Sequence, residues 1–330
     1  MLLLYFCVFA ENALEFSLST TNNNHMLSEK EIAFQIKPIS QEMCEEDYTQ
    51  LVKMGEKMKK GEENVVTDRC RIGNNVVDFF TFEERLRTRS KYNIHFYDFV
   101  EQIEYYKGKK FIDNMLTYYK NVKNKNNTKN DYIVLKEVFN ICIGAINIFR
   151  PLVAMEIYAK YAPSCVLDIC AGWGGRCIGA AALEIPRYVG IDINTGLKGR
   201  YDDMRAFLGE RSSTMVDMYF ENALEIDYAS LAPYDMVFTS PPYYFLEKYS
   251  NNVCYESKKQ MNTDFYVPLF KKSYQHLQEN GHFILNVNKE IYEAVCIPLL
   301  GEAHTILPLR KSKRQNNYNE CIYVWKKHSS

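Results

Sequence analysis

The sequence predicts an α/β domain built on a mostly parallel β-sheet, preceded by a mainly helical region. Three observations support this fold class. From residue 131 onward, short apolar runs typical of buried strands alternate with helical patterns, as in parallel sheets covered on both faces. A glycine-rich turn connects the first of these strands to a helix. Two apolar segments near the end of the chain are predicted to pair antiparallel, so we expect the last strand to oppose the others.

The predicted elements follow one another in a regular order. Residues 131–161 predict two helices separated at Phe149-Arg150-Pro151, because proline disfavours the helical conformation in the residue before it. The apolar run 165–170 predicts the first strand, and the small residues of 176–183 predict the helix after the glycine turn. Further strands are predicted at 187–192, 215–220, 234–239, 282–287, 304–308 and 320–325, and further helices near 198–208 and 265–277.

An Asn- and Lys-rich tract over residues 120–130 divides the chain into two predicted regions. Such tracts are typical of solvated loops. Before the tract the sequence is polar and aromatic without one dominant period, and after it the apolar runs lengthen. We therefore predict an accessory region over residues 1–130 and the α/β domain over residues 131–330.

The composition excludes several classes of protein. With 47% hydrophobic and 25% charged residues, the chain has the balance of an ordinary globular protein. No apolar run reaches the 18 or so residues that span a bilayer, so no membrane partner is predicted. The 40 Lys and Arg nearly balance the 41 Asp and Glu, so a nucleic-acid partner would have to be argued from local patches. The sequence leaves the oligomeric state open.

The ten cysteines predict a reducing, intracellular compartment, either cytoplasmic or nuclear. None of them forms a CxxC pair, which disfavours a zinc ribbon, and no metal site is predicted. Several lie in apolar runs, where a free cysteine behaves as a small buried hydrophobe. The first ten residues are similar to a short signal-peptide core, but they lack its positive segment and a small-residue cleavage site. We interpret them as a strand, a hydrophobic cap or an extension before Met26.

The segment 166–175 carries the pattern of a ligand site. Its order of strand, glycines and helix places Gly172 and Gly174 at the carboxyl edge of the sheet, where open α/β folds bind ligands. Asp192 ends the next strand, where a carboxylate can accept hydrogen bonds from both ribose hydroxyls. Neither GxGxxG nor GxxxxGK[ST] occurs, so the pattern favours a ribose-containing cofactor without pyrophosphate, namely S-adenosylmethionine. The alternative is a turn that only packs strand against helix.

The segment Ser240-Pro241-Pro242-Tyr243 directly follows the fourth predicted strand. Two prolines fix the backbone and remove two donors. The Ser240 hydroxyl and the Pro241 carbonyl can accept hydrogen bonds from an exocyclic amine, and the Tyr243 ring can stack on its base. Such acceptors concentrate the lone pair of a weakly nucleophilic amine through placement and electrostatics. The alternative is a rigid surface turn, which the matched glycine loop and Asp192 disfavour.

Together these segments resemble the S-adenosylmethionine-dependent amino-methyltransferases that modify DNA at cytosine N4 or adenine N6. The resemblance covers residues 131–330 and implies a Rossmann-like methyltransferase sheet, with Phe238–Tyr243 as the catalytic motif in its cytosine-N4 form. Adenine enzymes more often carry Asp or Asn where Ser240 stands. The implied cofactor contacts are Asp168, Ala171, Gly172, Gly174 and Asp192, with Asn222 near the adenine and Phe149 near the methionine end.

Basic clusters interleaved with aromatic residues indicate nucleic acid, and DNA first, as the partner. Residues 85–91 carry four positive charges and no acid, and residues 107–130 carry seven lysines against Asp113. Lysine and arginine neutralise phosphates while aromatic rings stack on bases. The alternative is a solvated face over core aromatics. The accessory region is therefore a candidate for target recognition.

Two other functions remain open on the sequence. Similar Pro-Pro-Tyr motifs serve RNA-base and protein-amide methyltransferases, although these usually begin with Asn or Asp rather than with a residue like Ser240. The fold could also be retained as a catalytically silent nucleic-acid-binding module.

Overall fold

The computed structural model describes residues 27–62, 70–245, 247–248, 253–309 and 320–328. The predicted strand, cap or extension over the first residues of the chain lies outside these ranges.

In the described part of the chain, the strands form a large sheet and a small one. In chain order they are β1 Arg89–Ser90, β2 Cys165–Asp168, β3 Arg187–Ile191, β4 Met215–Tyr219, β5 Tyr234–Thr239, β6 Glu247–Lys248, β7 Leu277–Asn288, β8 Thr305–Pro308 and β9 Glu320–Lys326. The large sheet has seven strands in the order β4-β3-β2-β5-β7-β9-β8, and the small sheet pairs β1 with β6.

The large sheet confirms the predicted topology. Its strands β4, β3, β2, β5 and β7 pair in parallel. Strand β9 is antiparallel to both β7 and β8. The α/β class, the mostly parallel sheet, the antiparallel last strand and the helical region before them are thus confirmed.

The strand order reverses beside β2, since β3 and β4 extend the sheet on one side and β5 and β7 extend it on the other. Ligands of open α/β sheets bind at such a reversal, in the crevice outside the carboxyl ends of the strands. The segments that follow Asp168 at the end of β2 and Thr239 at the end of β5 meet at this crevice.

Helices cover both faces of the large sheet. On one face, β2, β3 and β5 share a core with α2 Gln41–Lys59, α3 Asn74–Arg87, α8 Pro151–Tyr161, α9 Gly175–Ala182 and α10 Lys198–Gly209. On the other face lie α11 Tyr228–Leu231, α12 Lys258–Met261, α13 Val267–Gln275 and α14 Lys289–Ile291, followed by α15 Ile297–Leu300. A 3₁₀ turn at Thr195–Leu197 precedes α10, and π-helical turns at Asn262–Tyr266 and Tyr292–Cys296 follow α12 and α14.

A third core holds the rest of the helical region. It joins α1 Glu29–Ile36, α4 Phe96–Glu101, α5 Ile103–Lys107, α6 Lys110–Tyr118 and α7 Asp131–Cys142. A π-helical turn at Tyr119–Lys123 follows α6. Helix α7, which lies beyond residue 130, packs against α1, α4 and α6, whereas α2 packs against α8 and α9 and α3 packs against α9. Helices from the two sides of residue 130 therefore share cores, and a separate accessory domain over residues 1–130 stays a prediction.

Within the described ranges, no helix is long and apolar enough to cross a membrane. The nine cysteines in these ranges are free thiols. The cellular compartment stays a prediction.

Candidate active site at the switch point of the sheet

A cleft of about 1450 Å³ opens at the carboxyl edge of the sheet, where the neighbouring strands β2 and β5 end. Single small-molecule pockets usually enclose about 300–1,000 Å³, so this cleft has room for two ligands side by side. Nine of the eleven predicted site residues line it: Phe149, Ala171, Gly172, Asp192, Asn222, Ser240, Pro241, Pro242 and Tyr243. Asp168 and Gly174 do not line it.

Gly172 is the glycine of the loop that faces open space. Its φ of +60° lies in the left-handed region, which other residues adopt with strain. A Cβ built on Gly172 would meet no atom closer than the Cys170 carbonyl oxygen at 3.9 Å. The Tyr201 hydroxyl donates a hydrogen bond of 3.0 Å to the Gly172 carbonyl and holds the loop in place. The missing side chain at Gly172 therefore leaves room for a ligand rather than for a neighbouring element.

Gly174 and Gly175 serve packing instead. A Cβ on Gly174 would collide with the Met204 side chain, and a Cβ on Gly175 would overlap the carbonyl oxygen of Phe149. Packing therefore accounts for the missing side chain at Gly174 and Gly175, whereas no neighbouring atom requires glycine at position 172. Gly174 does not line the cleft and packs against Met204 of α10, and its predicted cofactor contact stays a prediction.

We expect Gly175→Ala to destabilise the fold by about 1–3 kcal/mol, because the new methyl group has to displace backbone at Phe149. Chemical denaturation measures the loss. Gly199→Ala is the matched control, since nothing lies within 4 Å of its Cβ on α10, and we expect it to be neutral or stabilising. Equal stability of the two variants would contradict the packing role of Gly175.

Asp168 and Arg176 form a buried ion pair beneath the glycine loop. The Arg176 guanidinium donates to both carboxylate oxygens of Asp168, at 2.6 and 3.2 Å, and the Tyr188 hydroxyl donates to one of them at 2.7 Å. The same guanidinium donates to the Cys170 carbonyl at 2.6 Å. Burial disfavours the charged form of Arg176, but the Asp168 carboxylate outweighs burial and raises the pKa of the guanidinium.

The predicted cofactor contact of Asp168 stays a prediction. Its carboxylate is fully buried and points at Arg176 and Tyr188, so it does not face the cleft. We assign Asp168 a positioning role, in which it holds Arg176 and, through Arg176, the backbone of the loop at Cys170.

Asp192 lies at the end of β3 and faces the cleft. One of its oxygens accepts a hydrogen bond of 2.7 Å from the Gly172 amide, and the other accepts one of 2.8 Å from the Asn194 amide. Each carboxylate oxygen has a further lone pair, so both can still accept a hydroxyl. Burial raises the pKa of Asp192, and the two amide donors offset part of that shift.

Three further predicted residues line the cleft. The Ala171 amide donates to the Ile191 carbonyl at 2.8 Å and joins the loop to β3. The Asn222 side chain accepts a hydrogen bond from the Leu224 amide at 3.1 Å, which shapes the turn after β4. The Phe149 ring centroid lies 5.1 Å from the Arg176 guanidinium carbon.

Ser240 and Tyr243 are joined through Asn286 on β7. The Ser240 hydroxyl donates to Asn286 Oδ1 at 3.1 Å, and the Tyr243 hydroxyl lies 3.1 Å from both Oδ1 and the main-chain oxygen of Asn286. Asn286 Nδ2 donates to the Cys321 carbonyl on β9 at 3.1 Å, which fixes the direction of the amide. Because the Ser240 proton is directed at Asn286, the lone pairs of Ser240 Oγ are available to accept hydrogen bonds.

The backbone of the motif is braced by Tyr266. The Tyr244 amide donates to the Tyr266 hydroxyl at 3.1 Å, and that hydroxyl donates to the Pro242 carbonyl at 2.5 Å. Tyr244 has a φ of +48° and is buried, so the turn is held in an unusual conformation. Among the described residues, none donates a recorded hydrogen bond to the Pro241 carbonyl.

The basic cluster 85–91 is less positive than its sequence suggests. Arg85, Arg87 and Arg89 all form ion pairs with carboxylates, whereas Lys91 has no acidic partner among the described residues. The partners are Asp78 for Arg85, Glu29, Glu83 and Glu84 for Arg87, and Asp98 for Arg89. Carboxylates on α3 itself, on α1 and on α4 therefore balance three of the four positive charges of this cluster.

Three site residues were missed by sequence reasoning. The sequence pattern assigned Arg176 and Tyr266 to predicted helices and Asn286 to a predicted strand, without a role in the site. A polar Asn286 inside the apolar run 282–287 was the one available signal, because a buried amide needs hydrogen-bond partners. Arg176 and Tyr266 carried no such signal.

No protein-family model and no curated protein matches the chain. Among solved structures, the chain is similar to an rRNA methylase from Streptococcus thermophilus, with 14% identity over 56% of this chain and 100% of that one and a TM-score of 0.39. It is also similar to TrmN from Thermus thermophilus, with 15% identity over 54% and 48% of the two chains and a TM-score of 0.38. A precorrin-6y C5,15-methyltransferase from Geobacter metallireducens gives 16% identity over 54% and 87%, with a TM-score of 0.37.

Proposed function

We propose that the protein is an S-adenosylmethionine-dependent methyltransferase acting on an exocyclic amino group of a nucleic-acid base. Cytosine N4 in DNA is the first candidate and adenine N6 the second. One observation carries the proposal: a glycine loop with Asp192 and an amine-holding motif with Ser240 line the same cleft at the switch point of the sheet.

The residues on the β2–β3 side of the cleft fit the cofactor. Gly172 leaves the space that a nucleoside needs, and Asp192 offers acceptors for two ribose hydroxyls. Phe149, Ala171 and Asn222 complete this side. When bound there, the cofactor would supply a methyl group carried on a sulfonium.

The residues on the β5 side fit an amine on an aromatic base. Ser240 Oγ and the Pro241 carbonyl would accept hydrogen bonds from the amine protons, which directs the nitrogen lone pair away from the ring. Tyr243, held by Asn286, would offer its ring to the base. The amine nitrogen would take the methyl group from the sulfonium, which would depart as a neutral thioether, and the amine would release one proton to solvent.

The choice of base and nucleic acid rests on Ser240 and on the resemblance described above. A base in a duplex has to be flipped out to reach such a cleft, at a cost of a few kcal/mol. An RNA base is the main alternative, followed by a protein amide, and a silent nucleic-acid-binding fold comes last.

The decisive experiment is to express the full chain in a host without DNA methylation and to measure modified nucleosides in its DNA and RNA by mass spectrometry. N4-methylcytosine in DNA, absent with Ser240→Ala, is the expected result. N6-methyladenine in DNA would support the DNA methyltransferase but show that the acceptor is adenine N6 rather than cytosine N4. A mark only in RNA would overturn the choice of DNA, and a mark that persists with Ser240→Ala would overturn the role of Ser240.

Asp192→Ala is expected to weaken S-adenosylmethionine binding about 10- to 100-fold, because two hydrogen bonds to a charged acceptor are lost. Isothermal titration calorimetry measures the affinity. Asp202→Ala, an exposed acid on α10, is the matched control for the change in charge and should bind normally. Since burial raises the pKa of Asp192, wild-type affinity should begin to fall on acidification above the usual range of an aspartate. Unchanged affinity in Asp192→Ala would exclude the ribose contact.

A further inference from the structure

A short turn between α3 and α4 projects from the helical region into the mouth of the cleft. Lys91 and Tyr92 at its tip line the same cleft as Ser240 and Tyr243. Tyr92 is 55% exposed, although tyrosine side chains in folded proteins are usually more buried. The function proposed above uses neither residue.

Backbone pairing ties this turn to the catalytic motif. Strand β1 directly precedes the tip, and β6 follows the Ser-Pro-Pro-Tyr segment. The two strands pair antiparallel, with Arg89 opposite Lys248 and Ser90 opposite Glu247. The position of the tip is therefore coupled to the position of the motif.

Hydrogen bonds also make the turn rigid. Ser90 is 1% exposed. Its amide donates a hydrogen bond of 3.0 Å to the Ile94 carbonyl, and its carbonyl accepts one of 2.8 Å from the Asn93 amide. The Arg89 guanidinium donates to the Asn93 carbonyl at 2.7 Å and to Asp98 at 2.9 Å. A rigid turn presents an exposed ring without the entropic cost of ordering it on binding.

The charges at the tip favour an anionic ligand. Arg85, Arg87 and Arg89 are neutralised by carboxylates, whereas Lys91 has no acidic partner in the described part of the chain. Lys91 Nζ lies 4.9 Å from the centre of the Tyr92 ring. An exposed ring beside an unneutralised ammonium is the combination that binds nucleotides of a single strand, since the ring stacks on a base and the ammonium meets a phosphate.

We infer that Lys91 and Tyr92 form a nucleotide subsite for single-stranded nucleic acid, next to the pocket for the target base. Tyr92 stacks on an unpaired base that neighbours the target, and Lys91 contacts the phosphate beside it. The inference rests on the proposed function for the identity of the target base. The subsite itself rests on the geometry of the turn and the cleft.

The test uses fluorescence anisotropy to measure the affinity of the full chain for labelled single-stranded DNA and RNA oligonucleotides of mixed sequence. Tyr92→Ala is expected to weaken binding about 10-fold or more on at least one of the two strands, and Tyr92→Phe, which keeps the ring, about 2-fold or less. Lys91→Gln is expected to reduce the slope of log affinity against log salt by about 0.7, the value for one phosphate on a single strand.

The chain provides a matched control in Tyr105. This tyrosine is 61% exposed and has Lys109 Nζ at 4.6 Å from its ring centre, yet it does not line the cleft. Tyr105→Ala should bind as the wild type does. An equal loss in Tyr105→Ala and Tyr92→Ala would mean that aromatic surface in general binds the strand, and it would overturn the subsite. Wild-type affinity in Tyr92→Ala, or no binding of either strand by the wild type, would overturn it as well.

Calorimetry with S-adenosylmethionine separates this inference from the proposed function. Tyr92→Ala should bind the cofactor normally, which also shows that the variant is folded. If the wild-type chain does not bind the cofactor but binds a single strand through Tyr92, the proposed methyltransferase function is wrong while the nucleotide subsite is supported.

Discussion

Arg176→Met is expected to lower the free energy of unfolding by about 3–5 kcal/mol, the cost of breaking a buried ion pair from one side. The guanidinium and the Asp168 carboxylate are 4% and 0% exposed, so water cannot replace the lost partner. The variant leaves a buried carboxylate whose remaining donors are the Tyr188 hydroxyl at 2.7 Å and the Cys170 amide at 3.4 Å, and neither carries a charge. Denaturation in urea measures the change, provided that the transition remains two-state.

Two further variants isolate the cause of this loss. The double variant Arg176→Met with Asp168→Asn removes the stranded charge, and the oxygen of the introduced amide would still accept the Tyr188 hydrogen bond, so we expect it to recover part of the stability. Arg187→Met is the matched control at the surface, because its pair with Asp217 is 30% and 31% exposed and should contribute less than about 1 kcal/mol. A double variant as unstable as Arg176→Met would show that the unpaired charge is not the cause.

The same substitution links the core to cofactor binding. The Arg176 guanidinium also holds the Cys170 carbonyl at 2.6 Å, and Cys170 precedes the Ala171–Gly172 corner of the cleft. Arg176→Lys keeps the charge but loses the planar fork that reaches carboxylate and carbonyl together. We therefore expect it to bind S-adenosylmethionine more weakly than the wild type while remaining more stable than Arg176→Met.

The parallel sheet was predictable because its strands carry a strong local signal. Strand β5 was predicted with the bounds that it has, since the apolar residues 236–238 are followed shortly by two prolines that cannot continue a central strand. Strand β2 ends at Asp168, two residues earlier than predicted, because the Cys170 carbonyl turns toward Arg176. Strand β7 begins five residues earlier than predicted, at Leu277, because exposed polar residues at 278–280 interrupt its apolar pattern.

The contacts that shape the site were not predictable, because they join residues far apart in sequence. Arg87 meets Glu29 across 58 residues and Ser240 meets Asn286 across 46. Local patterns report which face of an element is buried, but not which polar group it meets there. Gly172, Asp192 and Ser240 could be predicted as candidates because the expected chemistry constrains their residue types, whereas Arg176 and Asn286 are defined by the groups they contact.

Asn286→Ala is expected to lower the rate of methylation on the order of 100-fold while leaving cofactor affinity unchanged. Asn286 is 2% exposed on β7 and does not need to touch the substrate to act. Its Oδ1 accepts from Ser240 and lies within hydrogen-bond distance of the Tyr243 hydroxyl. Without that acceptor the Ser240 proton is free to turn toward the amine, which replaces an acceptor by a donor, and a small misplacement costs rate of this order.

A double-mutant cycle distinguishes a positioning role from a general loss of structure. If Asn286 acts through Ser240, Asn286→Ala adds little to a chain that already carries Ser240→Ala, because residues that act as one unit are not additive. Tyr243→Phe retains the ring and the Ser240–Asn286 bond, so it should lose far less activity than Asn286→Ala. Single-turnover rates at saturating cofactor provide the measurement. Independent, multiplicative losses from Asn286→Ala and Ser240→Ala would show that Asn286 does not work through Ser240, and the hydroxyl would then have to be oriented by the substrate itself.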